Sequence, residues 1–218
     1  MAAVEPSELT KIIDDFCADG FLVVRGAVPP DVVRSCVEVV EAELRRRAVD
    51  PRDPTTWTAP VRFPSMRDPG DAGWHIDGSY DVDGAWWVNV RSRGRGLLAL
   101  FLFTDVGEKD APTELIVGSH LDVPRVLAPF GERGVFFGEV VGQLPGATFE
   151  RPRMRATGRA GDVFLCHPFL VHRATWPHRG TTPRIVAQPA VAVHEPFVLR
   201  ASLDVCPVER AILRGLEQ

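Results

Sequence analysis

The chain has 218 residues and a formal net charge of −4 at pH 7, with 45% hydrophobic and 25% charged residues. This composition excludes disorder over most of the chain, and the acidic balance excludes a general nucleic-acid binder with a large basic face. No apolar run reaches about 18 residues, which excludes a membrane-spanning helix. The opening Met-Ala-Ala-Val-Glu-Pro-Ser lacks the basic-then-apolar order of a signal peptide, and the cysteine pattern leads to the expectation of a reducing, cytoplasmic location. Cys17, Cys36, Cys166 and Cys206 are widely spaced with no Cys-x-x-Cys. That spacing indicates neither a disulfide framework nor a thiolate zinc site, and the cysteines are expected to act as small buried hydrophobes.

Residues 7–19 read as a helix, because Leu9, Ile12, Ile13, Phe16 and Cys17 recur at helical spacing. Ser7 is the expected cap and Gly20 the expected stop. Phe21–Val24 is a short apolar run, read as a strand. Pro29-Pro30-Asp31 opens a second helix to about Arg47, with Val32, Val33, Cys36, Val37, Val40 and Leu44 on its apolar face. Asp31 at its start and Arg45-Arg46-Arg47 at its end suit the helix dipole. Residues 48–73 are broken by Pro51, Pro54, Pro60, Pro64 and Pro69, and a loop of that length reads as a lid.

The chain then reads as β. The expected strands are 86–90, 97–103, 113–117, 148–156, 163–166 and 184–193, separated by Asp83-Gly84, Arg93-Gly94, Pro145-Gly146, Gly161-Asp162 and Arg179-Gly180. Pro207–Gln218 reads as a short closing helix. Many short strands with such turns indicate a sandwich or barrel. The expectation is one domain over 1–218: a helical N-terminal layer (1–47), the lid (48–73), a β core (74–195) and a tail with a short helix (196–218).

Chemistry concentrates at Trp74-His75-Ile76-Asp77-Gly78. In an extended segment residues i and i+2 share a face, so His75 and Asp77 can reach one metal ion. A bare His-x-Asp needs a third ligand. The segment 161–184 offers one, since it contains Gly161-Asp162, a strand, His172, a polar loop and then Arg184. Two histidines and one carboxylate on one face of an iron form the facial triad of non-haem Fe(II) oxygenases.

The order and spacing of these motifs resemble the phytanoyl-CoA dioxygenase family of Fe(II)/2-oxoglutarate-dependent oxygenases. Asp19-Gly20-Phe21-Leu22-Val23-Val24-Arg25-Gly26 is similar to that family's N-terminal signature, Gly118-Ser119-His120 to its Gly-Ser-His, and Gly161-Asp162 with His172 to its second metal segment. The resemblance spans about residues 15–193. It implies a mainly β fold with flanking helices, whose core is a double-stranded β-helix (a cupin-like jelly roll) behind an N-terminal helical layer. It implies His75, Asp77 and His172 as iron ligands, and Arg184, twelve residues after His172, as the fork that holds 2-oxoglutarate. A guanidinium suits that task because it binds a carboxylate through two parallel charge-assisted hydrogen bonds.

This chain departs from the family pattern in places. Val117 stands where proline is usual, Asp110-Ala111 replaces Asn-Gly, and Ala174 followed by Thr175 stands where a hydroxyl residue is common. The spacing to Arg184 is one residue longer than usual, which makes Arg179 its competitor. Asn89 and Thr175 are candidates to complete the 2-oxoglutarate site, with a strand-edge amide the equal alternative for Asn89. Trp74, Tyr80, Trp86, Trp87 and His167 are candidate substrate-pocket residues, with core packing the alternative for the aromatics. Asp81 and Asp83 read as a solvated turn, with contact to a cationic substrate the alternative, and Arg91, Arg93 and Arg95 read likewise, with contact to an anionic substrate the alternative. His120 reads as a helix-start residue, and His178 and His194 as loop residues.

The resemblance implies Fe(II), 2-oxoglutarate and O2, with hydroxylation of an aliphatic C–H in a small molecule such as a secondary-metabolite intermediate. Asp77 disfavours halogenation, since related halogenases lack that carboxylate. Desaturation, cyclisation and epimerisation are alternative outcomes. The rival readings are a cupin-type metalloenzyme without 2-oxoglutarate and a non-catalytic ligand-binding member of the fold. No nucleic acid or membrane partner is expected, and oligomeric state leaves no mark in the sequence.

Overall fold

A computed structural model describes residues 5–57, 73–200 and 205–217. Its first helix, α1 (Pro6–Asp19), buries Phe16 and Cys17 from the apolar stripe. Its start corrects the expected Ser7 cap: Pro6 opens the helix after Glu5, whose side chain makes no capping hydrogen bond. Proline suits the first helical position, since its φ is already helical and its missing N–H would have lacked a partner there. Gly20 ends α1 at φ 86° and donates its N–H to Phe16 O at 2.8 Å. A Cβ at Gly20 would sit 2.4 Å from His120 Nδ1, so only glycine fits.

Strand β1 (Phe21–Val24) and helix α2 (Pro30–Arg46) follow. Asp31 lies in the first turn of α2 and Arg45 and Arg46 in its last. Of the expected lid, residues 58–72 lie outside the described residues, while Pro54–Thr56 form a 3-10 turn whose Thr55 N–H is accepted by the Asp53 side chain.

Strands β2 (Tyr80–Val82) and β3 (Ala85–Val88) form a hairpin on Asp83-Gly84. Both turn residues have positive φ, 52° and 83°, as a tight hairpin turn matching the strand twist requires. The chain continues through β4 (Leu97–Leu102), β5 (Glu114–Ile116), a short helix α3 (Val123–Leu127), β6 (Val135–Phe136), β7 (Arg153–Arg155), β8 (Val163–Cys166), β9 (His172–Arg173), β10 (Val186–Ala187) and β11 (Ala190–Val191). Helix α4 (Pro207–Glu217) closes it.

Two expected strands are corrected. The 148–156 strand divides into a 3-10 turn (Gly146–Glu150) and the short β7. Pro152 has no N–H to offer a ladder, and Asp122 fixes the turn by accepting from Thr148 Oγ1 (2.8 Å) and from Arg151 Nε and Nη2 (2.9 and 2.7 Å). The 184–193 strand divides into β10 and β11 around Gln188-Pro189 for the same reason.

The strands form three antiparallel sheets. The main sheet has the order β1-β8-β4-β10, with β11 also paired to β4; the second is β7-β5-β9; the small third sheet is β2-β3-β6. Leu98, Leu100 and Leu102 of β4 and Phe164 and Cys166 of β8 point to one face of the main sheet. There they pack with Leu115 of β5 and Met154 of β7. The two sheets thus enclose an apolar layer, the two-layered jelly-roll arrangement. A second cluster joins α1, α3 and α4 to the sheets through Phe16, Val123, Leu127, Phe169, Val171, Val208 and Ile212. Burying an aliphatic side chain of this kind is worth about 1.5–3 kcal/mol, so these two layers fix the relative placement of the sheets. Cys17 and Cys166 are buried, and all four cysteines are free thiols.

Candidate metal centre

Strand register builds the centre. Leu115 of β5 pairs with His172 of β9, and directly paired residues share a face. Leu115 belongs to the apolar layer between the sheets, so His172 points into that space. His75 then pairs with His172 as one further antiparallel bridge, each backbone N–H donating to the other's carbonyl at 2.9 Å. The two imidazoles stand side by side, their centroids 4.4 Å apart. Asp77, two residues on, reaches the same face. The ligand atoms of His75, Asp77 and His172 all lie within 4.8 Å of one another.

The orientation of each ring is set by backbone. His75 Nδ1 donates to Gly73 O at 2.8 Å and His172 Nδ1 to Leu170 O at 2.9 Å, since a carbonyl can only accept. This leaves Nε2 of both rings as the ligating atom, the arrangement in which an outer hydrogen bond fixes the tautomer of a metal-bound histidine. His172 Nε2 is buried and has no hydrogen-bond partner among the described residues. Asp77 Oδ1 lies 3.7 Å from it, too far for a hydrogen bond. A buried acceptor without a partner is costly, and a cation between Nε2 and Oδ1 would satisfy both atoms.

The electrostatics agree with that chemistry. Burial pushes the His172 imidazole below its ordinary value, against the pull of the Asp77 carboxylate. Burial works against ionisation of Asp77, but the neighbouring imidazoles and the Arg95 guanidinium outweigh it and hold the carboxyl below its usual value. Neutral imidazole and ionised carboxylate are the forms that ligate metals. Among the described residues, these three are the one group of histidine, cysteine and acidic side chains spaced to share an ion.

Two residues that the sequence reading did not assign to the centre touch it. Asp77 Oδ2 accepts from Arg95 Nη1 at 2.6 Å and from Gln188 Nε2 at 3.0 Å. Arg95 was visible only as one of three turn arginines, and nothing in the sequence marks Gln188.

The remaining candidates fall in several places. Arg184 Nη1 donates to Thr113 Oγ1 at 3.3 Å and Thr175 Oγ1 to Pro112 O at 2.7 Å, so both meet the chain just before β5. Arg179 is exposed. Asn89 is buried with its amide on backbone: Nδ2 donates to Glu132 O at 3.0 Å and Oδ1 accepts from Arg93 N at 3.2 Å. Trp74 is not brought to the face of the triad. As the neighbour of His75 in an extended segment it points the other way, between the guanidinium groups of Arg173 (4.3 Å from the ring centroid) and Arg153 (5.3 Å). Tyr80 and Trp87 are cross-strand partners in the third sheet. They lie beside Arg93 and Arg133, and the Tyr80 hydroxyl donates to Arg133 O at 2.6 Å. Trp86 is exposed, its Cβ close against Gly78. His167 is not brought to the triad either: its ring neighbours are Phe16, His120 and Phe169. His120 is buried with it. His178 lies edge-on to Trp57 and 3.7 Å from Asp110.

Among the described residues, no helix is long and apolar enough to cross a membrane. The model of the phytanoyl-CoA dioxygenase family matches residues 63–186. The fold is similar to the crystal structure of SnoK, a non-haem α-ketoglutarate-dependent carbocyclase from nogalamycin biosynthesis, with 16% identity, 85% of this chain and 86% of that one covered, and a TM-score of 0.51. Also similar are the epimerase SnoN from the same biosynthesis (19% identity, 84% and 82% covered, TM-score 0.47) and HygX from Streptomyces hygroscopicus with nickel and 2-oxoglutarate bound (18% identity, 85% and 85% covered, TM-score 0.43). Among proteins with curated functions, none matches the chain.

Proposed function

Because this chain belongs to the phytanoyl-CoA dioxygenase family, we propose that it is a cytoplasmic Fe(II)/2-oxoglutarate-dependent dioxygenase that hydroxylates an aliphatic C–H of a small molecule such as a secondary-metabolite intermediate. The observation that carries the reading is the buried His172 Nε2, without a hydrogen-bond partner among the described residues and facing Asp77 Oδ1, with His75 bridged alongside. Iron bound there would couple decarboxylation of 2-oxoglutarate by O2, giving succinate and CO2, to transfer of the second oxygen atom into the substrate C–H.

The chain's own residues supply geometry and charge. His75 Nε2, His172 Nε2 and Asp77 Oδ1 would hold the metal from one face and leave the opposite face open. The Arg184 guanidinium, half-buried at the entry to β10, would take the distal carboxylate of 2-oxoglutarate, with Thr175 beside the same stretch of chain. The apolar layer under the centre keeps its inner side dry, which strengthens each charge interaction at the site.

The test is anaerobic addition of Fe(II) and then 2-oxoglutarate to metal-free protein, followed by the visible charge-transfer band of a keto acid chelated to iron. The band is expected, and Arg184→Ala should need about 10- to 100-fold more 2-oxoglutarate to reach it, the worth of hydrogen bonds to a charged group. Iron binding without the band would overturn the cofactor reading in favour of a cupin-type or ligand-binding protein. No iron binding would make the three side chains structural.

A further inference from the structure

The two oxygens of Asp77 are treated differently by the fold. Oδ1 faces His172 Nε2, while Oδ2 accepts both Arg95 Nη1 and Gln188 Nε2. The donors come from the opposite side of the apolar layer. Arg95 stands just before β4, and Gln188 lies in the break between β10 and β11, both of which pair with β4. The triad stands on the second sheet and its immediate extension, so Asp77 is gripped across the mouth between the sheets.

The grip is built in advance. The Arg95 side chain is only 12% exposed, and its Nε has no hydrogen-bond partner among the described residues, so the Nη1–Oδ2 contact anchors the guanidinium. The turn carrying Arg95 is fixed by Ser92 Oγ donating to Arg95 O at 2.7 Å and by Gly96 N donating to Val191 O at 2.6 Å. Gly94, at φ 89°, lets this turn press on the segment that follows His75 and Asp77, since a Cβ there would lie 2.6 Å from Ser79 O.

We propose that Arg95 and Gln188 are positioning residues that restrict Asp77 to one ligating oxygen, Oδ1. The proposal rests on the reading of the site as an iron and 2-oxoglutarate centre. Carboxylates bind metals through one oxygen or two. A second oxygen from Asp77 would fill one of the three positions that a chelating keto acid and O2 together require. Oδ2 is kept from the metal because a charge-assisted bond and a neutral amide bond already engage it. The pairing also explains why an arginine can stand so near a metal centre: its charge is taken by the carboxylate oxygen that the metal does not use.

The test uses the full chain loaded with Co(II) in place of Fe(II), whose visible spectrum reports coordination without turnover. The variants are Gln188→Leu, Arg95→Gln, Arg95→Lys and the double Arg95→Gln/Gln188→Leu. Gln188→Leu leaves the Arg95–Asp77 ion pair in place, so it keeps the test open if the Arg95 variants fold poorly. At saturating Co(II), the double variant should bind 2-oxoglutarate about tenfold more weakly or worse, on the scale of lost outer-shell contacts. Its Co(II) spectrum before 2-oxoglutarate should lose intensity as coordination rises. Gln188→Leu should move both readouts in the same direction by less, and Arg95→Lys should restore part of the loss. Spectra and 2-oxoglutarate affinities equal to wild type at saturating metal would overturn the proposal and leave the two residues a purely structural role, whatever the melting temperatures do. A wild-type protein that takes up Co(II) and ignores 2-oxoglutarate would instead overturn the cofactor reading, and this proposal with it.

Discussion

The His75 and His172 rings stand 4.4 Å apart, and the His120 and His167 rings 4.8 Å apart, but the fold wires the two pairs in opposite ways. In the first pair the backbone takes Nδ1 of each ring, Nε2 is left over, and Asp77 shares the face. In the second pair the backbone takes Nε2 of both rings: His120 donates to Cys17 O at 3.2 Å and His167 to Val208 O at 3.3 Å. His167 Nδ1 also accepts from Phe169 N at 3.1 Å. His120 Nδ1 has no partner among the described residues, but it lies hard against Gly20, with no space there for an ion. Two neighbouring histidine rings alone therefore carry no function. A ring becomes a ligand when the backbone takes the far nitrogen and a carboxylate shares the near face.

The largest test of this contrast is removal of the carboxylate. Asp77→Ala should abolish succinate formation from 2-oxoglutarate and remove the thermal stabilisation that a bound metal confers. Wild-type turnover in that variant would break the assignment of the triad. His167→Ala should do the reverse. It should cost about 3–5 kcal/mol of unfolding free energy in urea, from a cavity and two stranded backbone groups, while the folded protein keeps its metal affinity. Loss of metal binding with stability intact would show that the second pair serves the centre after all.

A smaller effect follows from pH. Burial pushes the His120 imidazole down to about 4 and holds His167 well below its ordinary value. The unfolded chain then binds more protons than the folded one between the two values, so stability falls as pH drops from about 6.5 towards 4. Above about 6.5 the pair is neutral in both states and contributes no slope. His120 alone accounts for a loss of up to about 3 kcal/mol across that window. Urea unfolding between pH 8 and 5 reads it directly, and a flat profile would rule out a neutral buried pair.

Much of the fold is legible in the sequence because helices and hairpins are local. The stripe of α1, the glycine that ends it, β1, α2, β8 and the Asp83-Gly84 turn all follow from neighbours within a few residues. The misreadings are equally physical. The turn signals at Pro145-Gly146 and Gly161-Asp162 framed one strand over 148–156, where Pro152 and the Asp122 side chain impose a turn first. Strand β9 is two residues long, too short for any periodicity to show. Trp74 stands beside a metal-ligand candidate in the sequence, and alternation along an extended chain sends it to the outer face.

The sequence by itself determined that His75 and Asp77 share a face, because a period of two needs no knowledge of the rest of the chain, and its motif order pointed to the family. Only the tertiary structure decided which nitrogen of each ring is left for a metal and which side chains hold the carboxylate. His75 meets His172 through strand register, and Gln188 reaches Asp77 across 111 residues. Such contacts are set by how two sheets pack around a shared apolar layer, and no local pattern encodes that packing.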